Sequence, residues 1–250
     1  NLGSKVAMSD KEIIGLAALI ALRRRVDSVA NNVANLTTPA FKAGRVQFKE
    51  YLTEAEEADV PAMAKRSLVS TSHFTDFSVG GMRATGNPLD VALTEDDAFF
   101  VVDTPVGPRY TRSGAFTLNA DGKLATIDGK PVLTSIGHLV VQPRDGPVTI
   151  AGDGSISTLQ GRIAGLRLVR FVDRREVKPE GGGLFSSAHS PLEVPSGAGR
   201  LAIGVLETSN VREADEMSRL IAASNAYETL AKSVFKSESP DELRKLAGED

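Results

Sequence analysis

Two stretches at opposite ends of this chain share one rhythm. Leu19, Leu22, Val26, Val29, Val33 and Leu36 recur at alternating steps of three and four. Met217, Leu220, Ser224, Tyr227, Ala231 and Val234 repeat the pattern near the other end. On an α-helix that spacing lines up one face, and such a face must be covered by another helix. Between the two stretches the pattern is one of strands and turns. The expected fold class is therefore α+β. Long N- and C-terminal helices form one discontinuous, coiled-coil-like domain, and a central antiparallel all-β domain is looped out between them. Two helices that each require a partner suit an assembly subunit before they suit an enzyme. The back seam has Ser224 and Ala231 at inward positions, so its packing is expected to be completed only inside an assembly.

Local signals set the boundaries. Ser9 and Glu12 have the spacing of a capping box, which opens a helix within residues 1–36. Pro39 closes it, because proline disfavours helical geometry in the residue before it. Residues 37–86 read as an extended connecting segment. Phe41, Val46, Phe48, Tyr51 and Leu52 fit a short strand or helical turn, and the acidic run 54–59 fits a solvated loop. Gly80-Gly81 and Gly86-Asn87-Pro88 are breakers.

Residues 87–206 carry the β domain. Leu89, Val91 and Leu93 alternate, and Phe99-Phe100-Val101-Val102 is continuous, as in a buried strand. Asp121-Gly122 and Asp128-Gly129 fall between apolar runs as hairpin turns do, since both residue types tolerate positive φ. Residues 207–250 hold the second long helix, from after Ser209-Asn210 to near Lys236. A short helix follows, opened by Ser239-Pro240-Asp241-Glu242.

Composition removes several function classes. The net charge is −3 and the basic residues are dispersed. Nucleic acid and anionic membrane both require a concentrated basic face, so neither is an expected partner. Arg23-Arg24-Arg25 reads as a solvated or inter-subunit face. The apolar run 13–22 is too short to span a bilayer and lacks the flanks of a signal peptide. Export by a route without a cleaved signal, and no direct membrane insertion, are expected. The chain has no cysteine, which excludes disulfides and thiolate chemistry.

No catalytic or cofactor site is indicated. His73, His138 and His189 are far apart and lack ligand spacing, so no metal is expected. Gly122-Lys123 and Gly129-Lys130 lack the rest of a phosphate loop. Glu95-Asp96-Asp97 is the one run of three consecutive carboxylates. Glycoside hydrolysis needs two carboxylates flanking a bond, so a polysaccharide-binding or -cleaving β domain using Glu95 or Asp97 is the rival reading. Adjacent acids ordinarily mark a turn.

Several segments together carry a resemblance. The first is Val29-Ala30-Asn31-Asn32-Val33-Ala34-Asn35, running on to Thr38-Pro39-Ala40-Phe41-Lys42. The second is Asn87-Pro88-Leu89-Asp90-Val91-Ala92-Leu93 with Phe99-Phe100-Val101-Val102. The third is Tyr110-Thr111-Arg112-Ser113-Gly114-Ala115-Phe116 before Asp121-Gly122-Lys123-Leu124, and the last is Ser209-Asn210-Val211 with Ala226-Tyr227-Glu228. In that order they are similar to the signatures of bacterial flagellar axial proteins, the rod and hook group. Length and the Thr-Pro form of the first signature most resemble the proximal rod members, with the distal rod members next. Ala40 stands where the group usually has glycine, which predicts a backbone without a positive-φ turn there.

The resemblance implies a non-enzymatic subunit of the flagellar basal-body rod, which spans the periplasm. Terminal helices would build the inner tube of a hollow rod, with the β domain outside. Partners would be further copies, other rod proteins and the flagellar type III export apparatus. The two seams, together with Asn31, Asn32 and Asn35, are the expected assembly interface. Isolated helices of this length are marginal in water. Both termini are therefore expected to be largely disordered in the monomer and to fold on assembly.

Overall fold

The computed structural model describes residues 10–53, 66–195, 197–198 and 200–235. The Ser9 cap, the acidic run 54–59 and the helix start at 239–242 lie outside them. The chain divides into two compact units, one of Asn1–Val33, Gly44–Phe74 and Glu213–Asp250, the other of Ala34–Ala43 and Thr75–Arg212.

The first unit contains α1 (Asp10–Ala34) and α2 (Glu213–Phe235). Arg23 hydrogen-bonds Asp27 at 3.2 Å, and Asp27 and then Tyr227 raise its guanidinium pKa. Asn32 meets Glu216 at 3.0 Å. Numbers rise along α1 as they fall along α2, so the helices run antiparallel. Strands Gly44–Thr53 and Arg66–Thr75 pair in the same unit. The stretch read as an extended connecting segment is thus largely strand where it is described. The alternation of Val46 and Phe48 with Arg45, Gln47 and Lys49, and the β-branched Val69, Thr71 and Thr75, favour extended backbone.

The second unit is built on a six-stranded sheet. Its order is Val177–Gly181, Leu184–Ser187, Arg109–Thr111, Ala98–Val102, Leu168–Arg170 and Leu192–Val194, all neighbours antiparallel. Ala98–Val102 is buried on both faces. The two-residue period of a strand splits it. Ala98, Phe100 and Val102 enter one core with Leu93, Phe116, Leu124 and Ile156. Phe99 and Val101 enter another with Phe77, Val169, Phe171 and Phe185. In the second core Phe99 packs edge-to-face on Phe77 and Phe171 at 5.5 and 5.3 Å. Such pairs add to burial because the ring quadrupoles favour that geometry.

Around the sheet lie short hairpins. Phe116–Leu118 pairs with Leu124–Thr126 across Asp121-Gly122, with Gly122 at φ +74°. A Cβ on Gly122 would lie 2.1 Å from the Val141 carbonyl oxygen, so this turn admits only glycine. Leu201–Ile203 pairs with Val91–Leu93, and Val205–Glu207 with Met82–Ala84. Both edge strands of the sheet are blunted. Lys178, Pro179 and Glu180 sit on one edge, and Glu193 between Pro191 and Pro195 on the other, which opposes pairing with a second sheet.

The backbone at Ala40 corrects the sequence reading. Its φ is +54°, so it takes the left-handed turn without glycine. The residue is buried, and its N–H donates to the Glu207 carbonyl at 2.8 Å. Burial and that hydrogen bond outweigh the steric cost of a Cβ in this region.

Candidate assembly interface

On α1, Leu19 and Val29 are buried, and Leu22, Val26 and Val33 are half-buried. Leu36, just past the helix, is half-buried too. Ala21, off that seam, is buried as well, so α1 is covered over more than the one stripe. On α2, Leu220, Ser224, Tyr227 and Ala231 are half-buried, while the side chain of Val234 lies outside the described residues. Met217 is 39% exposed, whereas Glu216 and Ala223 are sealed. The inward face of α2 thus keeps Leu220, Ser224, Tyr227 and Ala231 of the apolar pattern and adds Glu216 and Ala223, while Met217 turns outward. The pattern could not reveal this, because Glu216 reads as a surface residue until its partners are known.

Those partners come from three elements. Asn32 is 1% exposed. Its amide donates to the Gly44 carbonyl at 2.9 Å and to Glu216 at 3.0 Å, and its oxygen accepts from the Gly44 N–H at 2.9 Å. Glu216 also accepts from Arg45, and from Arg219 at 2.6 Å. Burial pushes the Glu216 carboxyl up, but the hydrogen bonds from Arg45 and Asn32 outweigh it and leave the pKa below its ordinary value. Of the three expected asparagines, Asn32 is therefore spent within the chain. Asn31 is exposed, and Asn35 accepts from the Thr38 hydroxyl at 3.0 Å.

Among the described residues, what remains on the outside of the helices is apolar in two places. Leu16 and Ile20, one turn apart on α1, are 43% and 48% exposed. Met217 and Ile221, one turn apart on α2, are 39% and 62% exposed. Arg23 of the basic triplet is paired with Asp27.

The acids of the rival reading are held by arginines. Glu95 pairs with Arg170, Asp96 with Arg174 at 2.9 Å, and Asp97 with Arg170 at 3.7 Å. They form a bend, as adjacent acids in sequence suggest. His138 contacts Asp103, His189 contacts Glu176, and His73 is exposed. Among the described residues no three metal-ligating side chains converge, and no helix is long and apolar enough to cross a membrane. Grooves in the β unit include one of about 520 Å³ beside Leu133, Arg167 and Glu193 and one of about 360 Å³ beside Asn119 and Gln142.

Three family models match the chain. Residues 14–42 match "Flagella basal body rod protein", residues 94–158 "Flagellar hook protein FlgE/F/G D1 domain", and residues 203–237 "Flagellar basal body rod FlgEFG protein C-terminal". The flagellar basal-body rod protein FlgF of Mesorhizobium japonicum is 34% identical over 96% of this chain and 99% of its own length. FlgF of Caulobacter vibrioides is 35% identical over 90% and 92%. FlgG of Agrobacterium fabrum is 30% identical over 88% and 92%. The chain belongs to the flagellar basal-body rod protein family. It is a structural rod subunit, of the flagellar basal body. The first family match covers α1 from residue 14 on and the Ala40 turn, and the last spans the strand bearing Glu207 and the whole of α2. These two matches hold Asn32 and Lys42, Glu207 and Glu216 of the buried polar contacts, and both exposed apolar pairs.

Proposed function

We propose that this rod subunit is of the proximal, FlgF type, and that it polymerises through its terminal helices into the hollow drive shaft that transmits torque. Identities of 34% and 35% to FlgF chains, against 30% to an FlgG chain, favour that type over the distal one. The observation that carries the assembly reading is the pair of exposed apolar patches on α1 and α2. Single exposed apolar residues are ordinary, but paired ones a turn apart on each helix leave a surface that further helices can cover. Partners are then further copies and other rod proteins. Export proceeds through the flagellar type III apparatus, and the assembled rod spans the periplasm. The chain acts without catalysis, and Glu95 and Asp97 serve as ion-pair partners of arginine.

Ile20→Asp and Ile221→Asp test this. Both side chains are about half exposed or more, so the fold should change by less than ~1 kcal/mol. A charge buried without a partner on assembly costs far more. Cells carrying either variant should lack complete rods, while the purified chain melts as the wild type does. Rods built normally by both variants would show that these patches are not the contact.

A further inference from the structure

Lys42, Arg112 and Glu207 lie far apart in sequence, and all three side chains are fully buried. Glu207 accepts four hydrogen bonds. One carboxylate oxygen takes Lys42 Nζ at 2.5 Å and the Gly80 N–H at 2.9 Å, and the other takes Arg112 Nε and Nη2 at 3.2 and 3.1 Å. Lys42 also donates to the Ser78 carbonyl at 2.6 Å, and Arg112 to the carbonyls of Glu95 and Ala98 at 3.0 and 2.9 Å. Asn210 stands beside this cluster. It accepts from the Ala43 N–H at 2.8 Å and donates to the Asp76 carbonyl at 2.7 Å, and the Asp76 N–H donates to the Ala43 carbonyl at 2.9 Å. Ala43, Asp76 and Asn210 all lie within two residues of points where the backbone passes out of the β unit.

We propose that the Lys42–Glu207–Arg112 network, with Asn210, is a clasp that binds three exits of the backbone into one rigid patch and closes only when both ends of the chain are in place. This goes beyond the assembly reading and does not depend on it. The charge arithmetic gives the clasp a signature. Two buried cations share a single anion, so Glu207 is the member that cannot be spared. Removing Lys42 leaves a complete Arg112–Glu207 pair. Removing the charge of Glu207 leaves two buried cations facing each other, and an uncompensated buried charge is strongly destabilising.

Hydrogen exchange on the full chain tests it. The readouts are the amides of Ala40, Ala43, Asp76 and Gly80, compared with Val101 and Val169 in the sheet core. In the wild type the clasp amides should exchange as slowly as the core, because a closed clasp opens only with the unit. In Glu207→Gln, which keeps the side chain's shape, they should exchange on the order of 100-fold faster than in the wild type. In Lys42→Met the acceleration should stay below about tenfold. Should Glu207→Gln fail to fold, Lys42→Met combined with Glu207→Gln, which removes one of the two facing cations and leaves Arg112 alone, should recover part of the fold and stay less stable than the wild type. Clasp amides that exchange freely in the wild type overturn the proposal. So do a Lys42→Met variant as loose as Glu207→Gln, and a double variant no better folded than the single.

Discussion

At Ala40 the chain holds a side chain in backbone geometry that glycine adopts freely. The left-handed region costs an L-residue about 1–2 kcal/mol, and part of that returns as the lower chain entropy of alanine in the unfolded state. Ala40→Gly is therefore expected to stabilise the β unit by about 0.5–1 kcal/mol, visible as a melting temperature roughly 2–3 °C higher. An unchanged or lowered melting temperature would show that the turn is held by more than sterics. The residue itself was legible as a departure from the glycine common in its family. Its φ was not, because it depends on a hydrogen bond to a carbonyl far along the chain, at Glu207. Lys42, Arg112 and Glu207 share that limit. Each reads as an ordinary charged residue, and only the folded chain brings them within 3.2 Å.

Single elements were far more legible, because their signals are local. The apolar run at 99–102, the Asp-Gly turns and the extents of both helices depend on neighbours a few residues away, and the structure places strands, turns and helices there. The facing of α2 depends on a partner instead. Glu216 is drawn inward by Asn32 and Arg45, and turns Met217 outward. A buried polar pair of this kind fixes which residues of two helices meet, as a lone asparagine does in a coiled-coil seam. It also brings a dependence on acid. The Glu216 pKa is below its ordinary value of 4.5 when folded. Its contribution is thus complete above about pH 4.5 and is lost as the pH falls through the lower, folded value. Helix content followed by circular dichroism should fall in that acid range in the wild type. In Glu216→Gln the same step should be missing, with lower stability at neutral pH. A Glu216→Gln profile that keeps the wild-type step would assign the acid sensitivity elsewhere.

For the molecule as a whole, cohesion is unevenly spread. The β unit closes two apolar cores and the Glu207 network within itself. The helical unit has its densest polar contacts where Asn32, Gly44, Arg45 and Glu216 meet, and α1 exposes Leu16 and Ile20 farther from that point. Helices in water are held by packing more than by propensity. Order in the free monomer should therefore be graded rather than absent throughout: firm at Asn32 and Glu216, and weakening toward Leu16 on α1 and Ser233 on α2. Amide exchange of the monomer would show protection falling along α1 from residue 32 back to 16 and along α2 from 216 to 233, and strong protection over both helices once rods form. Uniform protection of residues 16–34 in the monomer would mean that the two helices stabilise each other fully. Assembly would then join finished surfaces, with no folding of its own. Uniformly fast exchange, including Asn32 and Glu216, would mean that their hydrogen bonds form only between neighbours already in the rod. A graded profile instead makes the buried Asn32–Glu216 contact the seed on which incoming helices zip outward, so that each added subunit completes its own fold by joining the shaft.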